Sequence, residues 1–473
     1  MLRKTWLAVF FIMVVFCCAM AEGSLVPDGF TFSGGSGKVE LSCPEITGDS
    51  DGAYVATVVF SSPYYTVARV GEETFESVVS GKTSVFRLPI QPNVATQVYA
   101  TTTAMSQPHE IEYTVFIRLD SLLGDKLAIE GVYPVSSLPL KYAECFDVDY
   151  YPNGIKLISI EDGSRYLLLP PDTSCPAGLD PDIRILRQPL NTVYLAATSA
   201  MAYFDALGEM DRITFSSIAA RDWAIPNAVS AMECGEILYA GSYSAPDFEL
   251  LVKRDCCLAI ESTMIAHSPQ IREMLELLNI PVFIDYSSYE PHPLGRMEWI
   301  KLYGALTGRE DEAQAFFDEK EQELLTLGET KQSGLKVAYF SLNSRGSAVV
   351  RTESDYITRM IRMAGGEYAF DSFSEANSAA ATVTVNLEDF YLSASDADYL
   401  IYNATIEDEI HSIAELTQRN ELFAAFKSVQ NGNVWCVKKS LYQSPHELTR
   451  FIIDLRRMLA GETEGMYFLT KLD

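Results

Sequence analysis

The sequence predicts two α/β lobes joined by a long helix and preceded by an all-β sandwich. Three observations lead to this fold class. Residues 24–120 are rich in Val, Thr, Tyr and Ser, in alternating runs without a helical stripe. From residue 186 onward, buried strands alternate with helices, which is typical of a parallel sheet covered on both faces. A long helical stretch at 296–330, interrupted only at TGRED, separates two such α/β segments.

Residues 1–21 have the pattern of an export signal. A basic start is followed by a short apolar run and by small residues ending at Ala21, so we expect cleavage after Ala21. The apolar run is too short to span a bilayer. Lipidation at Cys17 or Cys18 is the alternative, although bulky Phe16 stands where a lipidation signal has a small residue. The protein is therefore expected in the periplasm or at the surface of the cell envelope.

The β-sandwich prediction for 24–120 depends on runs with period two. AYVATVVFSS, SVFRLPI, TQVYATTTA and EIEYTVFIRLD alternate apolar and polar residues and are separated by Gly, Pro and Asn turn signals. A connector and a β-hairpin are expected in 121–185, where FDVDYYPNGIKLISIEDGSRYLLLP reads as two strands around a Pro-Asn-Gly turn.

The two α/β lobes are predicted at 186–295 and 331–473, with the interlobe helix at 296–330. In the first lobe, NTVYLAATS, DRITFSS, CCLAIES and PVFIDYS read as strands. SPQIREMLELLNI reads as a helix that Ser268 caps, with Pro269 at its first position. In the second lobe, KVAYFSLN and DYLIYN read as strands, and SDYITRMIRMAGG and NLEDFYLSA as helices.

Charge and composition exclude several classes of function. The chain has 473 residues, 48% of them hydrophobic and 21% charged, which describes a folded protein of several domains. A net charge of -28 argues against binding to nucleic acid or to anionic lipid surfaces. The cysteines show no C-x-x-C spacing, so no zinc site is expected, and a disulfide between Cys145 and Cys175 stays open.

Motifs for catalysis are missing from the sequence. There is no G-x-S-x-G elbow, the glycines of SGGSGK lack P-loop spacing, and no dinucleotide fingerprint follows NTVYLAATSAM. The five histidines do not cluster, which argues against a catalytic metal centre. We therefore expect a binding protein that is not an enzyme and has no resident cofactor.

Several segments resemble the substrate-binding proteins of ABC importers for iron complexes and cobalamin, which have two lobes and a rigid interlobe helix. These segments are APDFELL, IESTMI, IPVFIDYSSYEPHPLGRMEWIKLYGALTGREDEA, MIRMAGGEYAFD and NGNVWCV, and the likeness extends from residue 188 to the last helix. It implies a solute-binding protein that captures a ferric siderophore, haem or a corrinoid between its lobes. It also implies delivery to an ABC permease in the membrane, with little movement of the lobes because the interlobe helix resists closure.

Two acidic residues match the family's docking positions. In that family a surface glutamate on each lobe docks onto arginines of the permease, and Glu249 and Glu388 occupy the matching positions. Charge-assisted pairs of this kind give orientation more than affinity. The alternative is that each glutamate only favours the N-terminus of its own helix.

The ligand is expected between the lobes, at the carboxyl ends of the parallel strands. There, arginines would pair with carboxylate or hydroxamate oxygens, and aromatic rings would pack on the organic part of the ligand. Each of these residues taken alone has a purely structural alternative, and Trp299 is expected to pack the helix. The candidates are Glu261, Ser262, Tyr286, Tyr289, His292, Arg296, Arg345, Arg351, Tyr442 and His446.

The β-domain resembles the near-transporter (NEAT) haem-binding modules of bacterial surface proteins in VVFSSPYYTVARVGEETFE and HEIEYTVFIRL. Haem-binding members carry Tyr-x-x-x-Tyr, whereas Tyr113 is followed at that spacing by Ile117. A spacer or protein-contact role is therefore favoured for this domain. Two alternatives stay open for the whole chain, namely a surface haem-binding or adhesion protein led by the β-domain, and a lobed metal-ion binder with about three converging histidines.

Overall fold

A computed structural model describes residues 23–35, 37–48, 53–104, 107–119, 126–326, 328, 332–370, 381–404 and 409–473. The chain divides into two compact units, Met1–Ser136 and Ser137–Asp473. The predicted export signal, including Cys17 and Cys18, lies outside the described residues. Within the described ranges, no helix has the length and apolar character needed to cross a membrane.

The first unit is built from ten strands. They are β1 Gly23–Leu25, β2 Gly29–Gly34, β3 Leu41–Gly48, β4 Tyr54–Phe60, β5 Tyr65–Val70, β6 Glu73–Glu76, β7 Val78–Ser80, β8 Thr83–Leu88, β9 Thr96–Thr102 and β10 His109–Arg118. One sheet has the order β1-β3-β4-β8-β7 and the other β2-β10-β9-β5-β6. Every second residue of β4 is buried in a core that both sheets share. The all-β prediction for this region is confirmed.

The second unit begins with a five-stranded sheet. Its strands are β11 Ser136–Ser137, β12 Phe146–Tyr150, β13 Lys156–Ile160, β14 Arg165–Leu169 and β15 Ile183–Arg187, in that order. β12 and β13 pair antiparallel around the turn Pro152–Gly154, which is the predicted hairpin. The pairing then extends to β14 and, in parallel, to β15, neither of which the sequence analysis assigned.

The first α/β lobe has a five-stranded parallel sheet in the order β18-β17-β16-β21-β22. Its strands are β16 Val193–Leu195, β17 Ile213–Ser216, β18 Leu238–Tyr239, β21 Leu258–Ser262 and β22 Val282–Asp285, with a small hairpin of β19 Gly241–Ser242 and β20 Ala245–Pro246. Its helices are α1 Ala200–Ala206, α2 Pro226–Glu233, α3 Phe248–Lys253 and α4 Pro269–Leu277. Ser268 precedes α4 as predicted, but its side chain makes no capping hydrogen bond.

The interlobe segment predicted at 296–330 is two helices, which separate within the TGRED stretch where the sequence indicated an interruption. These are α5 Pro293–Thr307 and α6 Glu310–Leu325, and they are separated by Gly308 with a φ of 78°. A glycine in this left-handed conformation ends a helix because a side chain there would be strained. The predicted end of the helix at 327–330 lies outside the described residues apart from Gly328.

The second lobe completes the unit with a mixed sheet of order β26-β24-β23-β27-β28-β29, to which β25 adds beside β23. Its strands are β23 Lys336–Leu342, β24 Ala348–Arg351, β25 Glu367–Tyr368, β26 Thr382–Val385, β27 Tyr399–Asn403, β28 Val434–Val437 and β29 Leu469–Lys471. Its helices are α7 Tyr356–Met363, α8 Leu387–Ala394, α9 Ile413–Arg419, α10 Lys427–Gln430 and α11 Leu448–Leu459. Helix α5 contacts α1 of the first lobe and α7 and α11 of the second.

Two buried glutamates attach the segment before β12 to the interlobe helix. Glu298 accepts hydrogen bonds from the backbone N–H groups of 141–143 at 2.8–3.0 Å and pairs with Lys301 at 2.8 Å. Glu290 accepts hydrogen bonds of 2.9 Å from the N–H groups of residues 144 and 145 and from the indole N–H of Trp299. Buried charges are tolerated when they are paired in this way. Trp299 therefore has the packing role that the sequence predicted.

The cysteines of the described residues are free. Cys145 is buried and its thiol donates to Glu161 at 3.0 Å, whereas Cys175 is exposed. Burial raises the pKa of the Cys145 thiol. The disulfide left open between these two residues is therefore not formed in this structure.

Candidate functional site

The two lobes meet beside the first turn of α5. Every residue of this fully described helix is buried except Arg296. The Nε of Arg296 donates to the carbonyl of Ser287 at 2.9 Å, and its guanidinium lies 3.8 Å from the ring centroid of Tyr356. Tyr356 is the first residue of α7 in the second lobe. Arg296, which the sequence singled out, thus contacts the opposite lobe through a cation–π interaction.

Arg351, the second predicted arginine, reaches the same place from the second lobe. Asp355 caps α7 by accepting from the N–H of Ile357 at 2.8 Å, and its other oxygen lies 3.5 Å from Nη1 of Arg351. The Arg351 guanidinium also lies 6.0 Å from the Tyr339 ring. Its side chain is 17% exposed, so it remains partly accessible from the seam.

His292 and Arg359 complete this group. His292 caps α5 through Nδ1, which accepts from the N–H of Leu294 at 3.1 Å, and its ring stacks on Tyr142 at 4.8 Å. Burial, together with the nearby charge of Arg359, lowers the pKa of His292 to about 4. His292 is therefore neutral at pH 7. We call His292, Arg296, Arg351, Asp355, Tyr356 and Arg359 the seam cluster.

A buried carboxylate supports the loop that carries this cluster. Asp285 ends β22 and accepts from the N–H and hydroxyl of Ser287 and from the hydroxyl of Tyr303. Burial raises the pKa of Asp285, although these hydrogen bonds act to lower it. Because Ser287 in turn holds Arg296, Asp285 fixes the position of the arginine through one intermediate residue.

Among the predicted ligand residues, Glu261 is completely buried and His446 is only partly exposed. Glu261 is 0% exposed, and neither of its carboxylate oxygens has a hydrogen-bond partner among the described residues. Burial raises the pKa of Glu261 to about 8, so the group is protonated at pH 7. His446 packs near Phe316, and its buried Nδ1 has no hydrogen-bond partner in the described part of the chain. Burial lowers its pKa to about 4.

The remaining predicted ligand residues are accessible. Tyr286 and Tyr289 pack with ring centroids 5.2 Å apart, and Tyr289 is 56% exposed. Tyr442 is 55% exposed. Arg345 is exposed in the turn between β23 and β24, where its guanidinium has no hydrogen bond or ion pair to the described residues. Ser262 is half-buried and accepts from the N–H of residue 264.

A second contact between the lobes was not anticipated from the sequence. The amide oxygen of Gln443 accepts from the N–H of Ala224 at 2.7 Å, and its amide nitrogen donates to the carbonyl of Asp222 at 2.8 Å. Asp222 and Ala224 follow β17, and Gln443 follows β28, so loops after the carboxyl ends of both sheets meet here. Trp223 lies between the two bonded backbone groups and is buried.

The predicted docking acids, Glu249 and Glu388, are both exposed and lie in the first turns of α3 and α8. Asp247 caps α3, and its N–H donates to the carbonyl of Ala240, directly after β18. Asn386 caps α8 directly after β26, which runs parallel to β23 because both pair antiparallel with β24. Glu249 and Glu388 thus begin helices at the carboxyl edges of their respective sheets.

An open depression of about 510 Å³ lies beside Glu249, and Phe248, Val252, Lys253 and Leu278 line it with the glutamate. The simpler alternative is also compatible with the structure, because each acid lies at the positive end of its own helix. A role at the helix N-terminus alone would not require both acids to be exposed at equivalent places in the two lobes.

The β-domain offers no accessible tyrosine for haem at the position that the resemblance indicated. Tyr113 is 1% exposed, and its hydroxyl hydrogen-bonds that of Tyr65 at 2.7 Å. Burial and this bond raise the pKa of Tyr113. Across the described ranges, no group of three or more His, Cys, Asp or Glu side chains could hold a metal ion.

Comparison with known families supports the two-lobed interpretation. The sequence profile of a family described as periplasmic binding protein matches residues 195–441, just over half of the chain. An uncharacterized lipoprotein of Methanocaldococcus jannaschii is 24% identical over 334 residues, which cover 64% of this chain and 77% of the relative. A second uncharacterized lipoprotein of that organism is 21% identical over 342 residues, covering 69% and 84%.

Solved structures with low sequence identity also match. A periplasmic haem-binding protein of Pseudomonas aeruginosa is 13% identical with a TM-score of 0.47, covering 60% of this chain and 98% of its own. A periplasmic vitamin B12 binding protein of Vibrio cholerae is 16% identical with a TM-score of 0.42, covering 57% and 97%.

Proposed function

This chain belongs to the periplasmic binding protein family, and from that premise we propose that it is the solute-binding component of an ABC importer. It captures an iron complex, as a ferric siderophore or haem, or a corrinoid, between its two α/β lobes. It then presents the loaded lobes to a permease in the membrane. The chain's own residues bind and orient the solute, and no catalytic step is involved.

The observation that carries this proposal is the seam cluster. A solute site between lobes needs polar groups from both sides that are not already committed to one another. Arg296 from the interlobe helix and Arg351 and Arg359 from the second lobe provide such groups, next to the ring of Tyr356. Tyr289, Tyr442 and Arg345 are exposed and stay candidate solute contacts outside this cluster.

Delivery is proposed to depend on Glu249 and Glu388. Both carboxylates are exposed on short helices that rigid sheets support. A basic partner that contacts both acids at once would recognise the spacing of the lobes, and charge-assisted hydrogen bonds would fix its orientation.

Solute binding is tested by titrating the purified protein with haem, cobalamin, ferric siderophores and zinc while tryptophan fluorescence is followed. Trp223 is suited to report binding because it lies at the Gln443 contact between the lobes. A matched Trp223→Phe variant separates its signal from those of Trp299 and Trp435. We expect saturable binding of one metal complex below micromolar concentration, and binding of none of them would contradict the proposal.

Anchoring of the N-terminus is a separate part of the proposal. Two relatives are described as lipoproteins, which supports a lipid on Cys17 or Cys18 over simple cleavage after Ala21. Mass spectrometry of the mature N-terminus distinguishes the two. A lipidated cysteine at residue 1 of the mature chain supports anchoring, and an unmodified N-terminus at residue 22 supports release.

A further inference from the structure

Three arginines approach the seam through the first turns of α7. Arg296 stacks on Tyr356, Arg351 contacts Asp355, and Arg359 follows Tyr356 by three residues on the same helix face. They lie together in a chain whose net charge is -28. The seam therefore has a cluster of positive side chains in a protein whose net charge is negative.

Most hydrogen-bonding capacity of these guanidinium groups is unused. Each guanidinium has five N–H donors. Arg296 uses only Nε, on the carbonyl of Ser287, and Arg351 makes one long contact of 3.5 Å to Asp355. Arg359 is exposed, and its side chain makes no hydrogen bond or ion pair to the described residues.

The acids nearby do not neutralise the three arginines. Asp285 is fully buried, and its oxygens are occupied by Ser287 and Tyr303. Asp355 lies against Arg351 and caps α7. Glu353 is exposed and contacts Arg362 at 3.3 Å. Two carboxylates, Asp355 and the buried Asp285, interact with these arginines, so the three cationic side chains still outnumber the acids.

We propose that the seam selects an anionic ligand, a metal complex that carries two or more carboxylates or similar groups, over a neutral or cationic one. This inference rests on the proposed function, because it concerns the same site. Planar guanidinium groups pair with carboxylates through two parallel hydrogen bonds. A neutral complex of the same size would cover the arginines without pairing them, and covering an unpaired charge is costly.

The test compares anionic with neutral metal complexes in one titration at 150 mM NaCl. Haem and ferric citrate carry carboxylates, whereas ferrichrome and cyanocobalamin have no net charge. We expect haem or ferric citrate to bind at least tenfold more tightly than either neutral complex. Tighter binding of a neutral complex would overturn the inference and leave the solute-binding function standing. Binding of none of the four would overturn both.

Charge-removing variants locate the effect. Arg296→Gln and Arg359→Gln should each weaken binding of the anionic complex about tenfold or more, because each removes one pairing group. Arg362→Gln is the matched control, since it removes the same charge from the same helix at a side chain that contacts Glu353. Equal loss in the control and the two seam variants would overturn the inference, because the effect would then be one of net charge alone.

Discussion

Replacing Glu261 by glutamine should stabilise the second unit increasingly as the pH rises. Glu261 is 0% exposed on the central part of the first lobe's sheet, and its two carboxylate oxygens have no hydrogen-bond partner among the described residues. Burial raises its pKa from 4.5 to about 8. Between these two pH values the folded chain holds a proton that the unfolded chain has released.

The magnitude follows from this difference. A tenfold change in proton affinity corresponds to about 1.4 kcal/mol. Below about pH 4.5, Glu261 is protonated in both states and does not lower the free energy of unfolding of the wild-type protein. As the pH rises towards 8, that free energy falls because only the unfolded chain releases the proton. The loss is about 3 kcal/mol at pH 7 and about 5 kcal/mol above pH 8. Glutamine stays neutral at every pH and has no such loss.

Urea unfolding followed by tryptophan fluorescence measures this effect. Every tryptophan after the predicted signal lies in the second unit, so the β-domain does not contribute; these are Trp223, Trp299 and Trp435. The free energy of unfolding of Glu261→Gln minus that of the wild type should grow from pH 4.5 to pH 9. Other titrating groups, such as His292, cancel in this difference. A difference that is constant with pH would refute the reasoning, and the exposed Glu249→Gln serves as the control.

Three further predictions follow from the packing. Glu298→Ala should lower the free energy of unfolding by about 3–5 kcal/mol, because the buried ammonium of Lys301 loses its partner; urea unfolding measures it. Gly304→Ala should destabilise by about 1–3 kcal/mol in the same assay, because its new methyl would lie 2.6 Å from the Cβ of Ala313. Tyr113→Phe should destabilise the β-domain by about 1 kcal/mol in calorimetry and leave any haem absorbance unchanged, whereas a changed haem spectrum would contradict its core position.

Regular elements were predictable because each is encoded by a short stretch of sequence. Most of the strands that the sequence predicted in the two lobes are short apolar runs, as in β17 and β23. The polar residues Asp247 and Asn386 mark the helix starts beside the two predicted docking acids. Exposure of Glu249 and Glu388 follows from the same local pattern. This part of the candidate site needs no knowledge of tertiary contacts.

Contacts between distant segments were not predictable in the same way. Arg296 and Tyr356 are sixty positions apart, and the sequence identifies the arginine without its partner. Glu261 looks like an accessible acid at the end of a strand, but it is completely buried beside Ile284 of the neighbouring strand. The division of the interlobe segment, by contrast, was indicated by the sequence, because Gly308 lies in the TGRED stretch; its positive φ shows where the first helix ends.

Transport by cells that carry Glu249→Arg together with Glu388→Arg tests the central claim most directly. The solute is whichever metal complex binds in the titration, and its affinity for the purified double variant is measured in parallel. The account predicts that uptake is lost while affinity stays unchanged, because both acids are exposed and lie outside the seam cluster. Undiminished uptake by the double variant would contradict it.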